Sequence, residues 1–129
     1  MDRSLFERGL KTRKEVVGAA HVEASLAQAD DFSMPMQELV TQYCWGDVWN
    51  RPGLDRRARS LVNLGMIAAQ NRADELAIHV RGALNNGVTK EEIREVFLHT
   101  AVYCGFPAAI DSFRTASEVL AEEKKKGGD

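Results

Sequence analysis

Several things are missing from this chain, and each absence narrows what it can be. There is no Cys-x-x-Cys: the two cysteines, Cys44 and Cys104, stand far apart. Reduced thiols are therefore the default, and no disulfide framework is suggested. No apolar run approaches the ~20 residues that a membrane-spanning helix requires. Neither sign of charge dominates, since the formal net charge is −2, so no global field draws the chain to nucleic acid or to a membrane surface. The opening residues MDRSLFERGLKTRKE are charged throughout. They give the expectation of no signal peptide and a cytoplasmic protein. Alternating strand patterns are absent, and so is any convincing repeat of solenoid length. What is present is ordinary for a globular chain: 129 residues, 44% apolar and 28% charged, enough for one domain with a modest core. The expected division is a helical domain over residues 1–123 and a frayed polar tail, KKKGGD, over 124–129.

The pattern throughout is helical, with about six helices expected. A first helix covers residues 3–18 with Gly18 as its stop, and a short one follows over His21 to Gln28. Pro35 suits a first helical position, and a helix from about Met36 to Trp49 should follow, with Gly46 inside it. Arg51-Pro52-Gly53 reads as a turn. Asp55 then caps DRRARSLVNLGMIAAQ, a helix apolar nearly all round. Such a helix is buried on all sides, either centrally or between subunits. The next two helices also carry apolar residues opposite their main stripes, Ile78 on one, Leu98 and Val102 on the other. This surplus of apolar surface predicts a homo-oligomer.

The centre of the chain is NRADELAIHVRGALNNGVTKEEIREVFLHTAVYCGFP, residues 71–107. It reads as two amphipathic helices. Asn71 is the expected cap of the first, with Asp74 as a weak partner. Asn85, Asn86 and Gly87 stop it. Thr89 with Glu92 forms a capping box for the second, which Gly105 and Pro107 end. Each helix carries a histidine with a glutamate four residues before it, Glu75 with His79 and Glu95 with His99. Each pair shares a face, and Tyr103 extends the second row by one turn.

Taken together in order and spacing, several segments resemble the carboxymuconolactone decarboxylase family of the alkyl hydroperoxidase D-like superfamily. They are YCWGDVW at 43–49, RPGLDRR at 51–57, HVRGALNNG at 79–87, and AVYCG at 101–105 followed by PAA at 107–109. The resemblance spans nearly the whole chain. It implies an all-α fold, a trimeric or hexameric assembly, and a cofactor-free decarboxylation of 4-carboxymuconolactone to 3-oxoadipate enol-lactone and CO2. That reaction belongs to protocatechuate breakdown, in the β-ketoadipate pathway. The peroxidase branch of the superfamily carries Cys-x-x-Cys-x-x-x-His. Aligned on His79, this chain has Arg72 and Glu75 where those cysteines would stand, so a nucleophile and resolver pair is missing.

The implied substrate is a dicarboxylate lactone that contains its own electron sink, so no metal or organic cofactor is called for. The protein must hold the retained carboxylate, stabilise an enolate oxygen and return a proton to carbon. His79 is the first candidate for proton donor, with Glu75 to orient it; a structural histidine bonded to a carboxylate is the plainer reading. His99 and Tyr103 are candidates for polarising and hydrogen-bonding the lactone. For the dicarboxylate, guanidinium groups are the natural clamp. Of Arg51, Arg56, Arg57, Arg59, Arg72 and Arg81, the two beside apolar stripes, Arg57 and Arg72, rank highest. Trp45 and Trp49 could line the pocket or simply pack. Di-iron bundles space Glu and His at i, i+3 with further glutamates, whereas the spacing here is i, i+4, and no metal site is expected. Two other classes of function stand beside this one: peroxide reduction through Cys104 or Cys44, and non-catalytic binding of small carboxylates by an oligomer.

Overall fold

A computed structural model describes residues 1–127 of the chain, and every regular element among them is helical. Seven α-helices occur in the order α1 (Arg3–Val17), α2 (Ala19–Gln28), α3 (Met34–Leu39), α4 (Arg56–Gln70), α5 (Ala73–Asn85), α6 (Lys90–Cys104) and α7 (Phe106–Lys126). A π-helical segment, Val40–Asp47, and a 3₁₀ turn, Val48–Asn50, lie between α3 and α4. The helices fall into two compact units, Met1–Arg56 and a second that begins at Arg57.

In the first unit, Asp2 caps α1 by accepting the Leu5 N–H at 3.0 Å, and Gly18, at φ 98°, turns the chain into α2. The expected regular helix from Met36 to Trp49 is not what forms. The chain is α-helical only to Leu39 and then widens into the π segment, which packs against α1 at backbone distance. A Cβ on Gly9 would stand 1.8 Å from the Thr41 carbonyl oxygen, and one on Gly46 would stand 2.5 Å from that of Leu5. Side chains rather than helical spacing hold the wider turn. Buried Arg13 of α1 donates to Gln37 Oε1 at 2.9 Å and to Thr41 Oγ1 at 3.2 Å. Gln42 Oε1 accepts the Asp2 N–H. Asn50 Nδ2 donates to the carbonyls of Trp45 and Gly46, which closes the C-terminal end of the segment.

The second unit is built on one apolar cluster to which all four of its helices contribute. It includes Leu64 and Ala68 of α4, Leu76, Val80 and Ala83 of α5, Ile93 and Phe97 of α6, and Ala116 and Val119 of α7. The Phe97 ring meets Phe113 edge-on, with centroids 5.6 Å apart. Polar ties reinforce the packing: Arg81 of α5 pairs with Glu122 of α7 at 2.7 Å, and Asn86 Nδ2 donates to Ser60 Oγ of α4 at 2.9 Å.

The turns decide how α4, α5 and α6 face one another. The sequence points to Asn71 as the cap that starts α5; in the structure it ends α4 instead. Asn71 sits at φ 59°, the Asn71 N–H reaches the Ala68 carbonyl and the Arg72 N–H reaches that of Ile67. This is a Schellman closure with asparagine in its left-handed position. Arg72 takes the cap position of α5 without a side-chain cap bond. The same closure recurs at the end of α5, where Gly87 is at φ 87° and Val88 N–H bonds to the Ala83 carbonyl. The Thr89–Glu92 capping box forms in both directions, at 2.9 and 3.1 Å. Gly105, at φ 106°, separates α6 from α7. The last helix continues through Lys126, with three lysines in its final turn, where they complement the helix dipole. Of the residues read as a tail from Lys124, Gly128 and Asp129 lie outside the described residues.

Candidate active site

A stripe of α6 and a stripe of α4 face each other across an open hollow of about 630 Å³. Glu92, Val96, His99 and Tyr103 succeed one another at helical spacing along α6, so they share one face. On α4 the facing positions are Leu61 and Gly65. Thr100 and Cys104 extend the wall at the tyrosine end, and Glu91, Arg94 and Glu95 surround the other end. The walls are mostly apolar, with chemistry-bearing groups concentrated at the two ends.

The rings of His99 and Tyr103 stack, centroids 5.0 Å apart and planes at 13°. Both side chains are exposed, Tyr103 at 79%, so ring nitrogens and phenol are accessible from the hollow. At the other end the charges are partly paired. Glu92 closes the capping box and also forms an ion pair with Arg57 of α4. Glu95 lies 3.7 Å from Arg94 Nε. The two ion pairs temper the negative charge that three glutamates would otherwise place at this end.

The structure thus brings His99, Tyr103 and Glu95 to one surface, with Arg57 adjoining it through Glu92. His79 stands elsewhere. It is half-buried on α5, with Nδ1 3.4 Å from Asn63 Nδ2 of α4, and it is not part of the wall of this hollow. Glu75 and Arg72 are exposed on or beside the first turn of α5. Trp45 and Trp49 are buried in the first unit and stack on each other at 4.8 Å, which makes them packing residues of that unit. Among the other arginines, Arg51 lies 3.8 Å from Asp47, Arg56 lies 3.6 Å from Glu15, and Arg81 is engaged with Glu122. The Arg81 guanidinium holds the Glu122 carboxyl below its ordinary range.

Two residues of interest escaped the sequence reading. Asn63 looks like an incidental amide on an apolar helix, yet its side chain lies 3.4 Å from His79 Nδ1. It is the one polar side chain between Leu61 and Ala69, which is the available signal. Arg94 sits among glutamates and reads as a solvated face; it lines both the large hollow and a smaller pocket of about 100 Å³ between α6 and α7.

Of the two thiols, Cys44 offers little to a redox reading. Burial pushes the Cys44 thiol up, against the opposing effects of a hydrogen bond with Trp49 and the charge of Arg13. A protonated, half-buried thiol is a poor nucleophile. Cys104 is exposed and lines the hollow as its one cysteine. Among the described residues, no group of three or more His, Cys, Asp and Glu side chains is placed to hold a metal ion, and no helix is long and apolar enough to cross a membrane.

The class is that of a small all-α protein in which one helix presents an imidazole and a phenol over a largely apolar hollow that a second helix faces. The chain belongs to the carboxymuconolactone decarboxylase family, whose profile matches residues 35–118, and its fold is the alkyl hydroperoxidase D-like helical one. It is 49% identical over 127 residues to nitrosuccinic acid decarboxylase npaB of Metarhizium robertsii, covering 98% of this chain and 89% of the relative. It is 42% identical over 121 residues to 4-carboxymuconolactone decarboxylase of Acinetobacter baylyi, covering 94% of this chain and 90% of the relative. A shorter stretch of 46 residues is 33% identical to 4-carboxymuconolactone decarboxylase of Pseudomonas putida. The first two relatives, matched over nearly the whole chain, support a carboxy-lyase; the third covers 36% of this chain and 96% of the relative.

Proposed function

We propose that the chain decarboxylates a succinate whose leaving carboxylate sits on a carbon bearing an electron acceptor. The observation that carries this reading is the His99–Tyr103 stack in the wall of the hollow, in a chain so similar to two decarboxylases. The substrates named for those relatives have a common core. In nitrosuccinate, one carbon carries a carboxylate, a carboxymethyl group and a nitro group. In 4-carboxymuconolactone, one carbon carries a carboxylate, a carboxymethyl group and the conjugated lactone. When the bond to the leaving carboxylate breaks, its electron pair stays on carbon and spreads into the acceptor, giving a nitronate or a dienolate, while CO2 departs. The substrate supplies the electron sink, so the reaction needs no metal or organic cofactor.

Within the hollow, the Tyr103 phenol donates a hydrogen bond to the acceptor oxygen as charge builds there. His99 in its protonated form returns a proton to carbon. The retained carboxymethyl group takes the guanidinium end, where Arg94 lines the wall and Arg57 stands behind Glu92. His79, with Asn63, holds α5 to α4. The substrate expected from the family resemblance is 4-carboxymuconolactone, and the proposal with it is a cytoplasmic role in protocatechuate breakdown. Nitrosuccinate is the second reading, favoured by the higher identity, 49% against 42%. Self-assembly to a trimer or hexamer completes the proposal, supported by the exposed apolar residues of α4 and α6.

The deciding experiment supplies each substrate to purified protein without added metal and follows CO2. Release from either one is expected, and a Cys44→Ser, Cys104→Ser double variant should match the parent. A folded protein that releases CO2 from neither acid overturns the proposal.

A further inference from the structure

We infer that Gly65 is the specificity-determining residue of this site: its missing side chain makes the space that takes the acceptor substituent of the substrate. The inference rests on the decarboxylase reading above and adds which residue sets the size of the acceptor. Gly65 lies in the interior of α4, five residues from its end at Gln70. Nothing in the backbone demands glycine there, since its φ is not among the positive values. Nor does close packing demand it. A Cβ would meet only Val96 Cγ1, at 3.9 Å, an ordinary van der Waals contact. This sets it apart from Gly9 and Gly46, where a Cβ would collide with a carbonyl oxygen. A glycine inside a helix lowers helix stability relative to alanine, so its presence where alanine would fit calls for another reason. The reason on view is the hollow. Gly65 forms its α4 wall opposite Val96, beside Leu61 and next to the His99–Tyr103 end. Any side chain longer than alanine at this position projects into the volume where the acceptor must lie.

The substrates of the two relatives differ mainly in that acceptor: a nitro group in one and a five-membered ring in the other. Filling the wall should therefore penalise the ring far more than the nitro group. Binding to purified protein is measured by calorimetry with two inert acids, succinate and its bulkier 2-phenyl derivative, for the parent, Gly65→Ala and Gly65→Leu. In Gly65→Leu, phenylsuccinate should weaken relative to succinate by about 10- to 200-fold, the range that small changes in an apolar pocket produce; Gly65→Ala should show a smaller change in the same direction. Both variants should melt at or above the parent's temperature, because each improves the helix. An unchanged ratio in a folded Gly65→Leu, equal weakening of both acids, or no binding of either acid to the parent overturns the inference. A lower melting temperature for Gly65→Ala also counts against it, since that marks a packing role. Failure here is separable from failure of the catalytic reading, because CO2 release by the parent protein is read independently of the ratio.

Discussion

The two central histidines are equivalent in sequence, each four residues after a glutamate on an amphipathic helix, and the structure gives them different surroundings. His99 is exposed in the wall of the hollow with Tyr103 stacked on it. His79 is half-buried against Asn63. Periodicity could place each ring beside an apolar stripe, and it put Tyr103 in line with His99. It could not say which stripe borders open space, because that depends on Leu61 and Gly65, which come from another helix. The consequence is measurable. His99→Ala should lower kcat by about 10²- to 10⁴-fold, the usual worth of a general acid, with little change in melting temperature because the ring is exposed. His79→Ala should keep most of the rate and lose about 1 kcal/mol of stability, the scale of one net hydrogen bond. The reverse pattern, read by steady-state kinetics and thermal melts on the same preparations, would move the acid role to His79.

At the scale of elements, stop signals and one capping box were legible because they depend on local chemistry. Gly18, Gly87 and Gly105 each take a positive φ at a helix boundary, and Thr89 with Glu92 closes its box. Asn71 looks like a start in the sequence and acts as a stop. Asparagine serves both purposes, and the choice turns on whether its backbone enters the left-handed region, which its neighbours in sequence do not reveal. The π segment was the least legible element. Residues 40–47 carry no breaker other than Gly46, and the wide turn is tied down by Arg13 of α1, by Gln42 within the segment and by Asn50 just beyond it. Gly9 reports on that contact. With the Thr41 oxygen 1.8 Å from where a Cβ would be, Gly9→Ala must push α1 off the segment. A loss of about 1–3 kcal/mol is expected, the usual cost of overpacking, against the small gain that alanine brings to an unobstructed helix. Urea melts of Gly9→Ala beside Gly65→Ala would compare the two directly, with the first destabilised and the second not.

For the whole molecule, the unresolved physical problem is the apolar surface left outside. Leu98 and Val102 lie one turn apart on α6 and are exposed, Val102 at 76%. Val62 and Met66 are likewise one turn apart and exposed on α4, the helix whose sequence is apolar nearly all round. Phe106 and Ile110 repeat the arrangement at the start of α7. Scattered exposed apolar residues are normal, but pairs at i, i+4 on three of the unit's four helices make stripes, and stripes are what helices use to pack on other helices. The buried cluster of this unit already has its own residues from all four helices, so the outer stripes are surplus to it. A second copy of the chain is the occupant that the proposed trimer or hexamer provides. Light scattering after gel filtration should therefore give a multiple of 14.3 kDa for the parent protein. Leu98→Asp with Val102→Asp should shift it toward that single mass, since two carboxylates cannot be buried unpaired at an apolar contact without a large desolvation cost. A parent protein that runs at 14.3 kDa across the micromolar range would refute the assembly. A double variant that keeps the parent's mass would place the interface on another face.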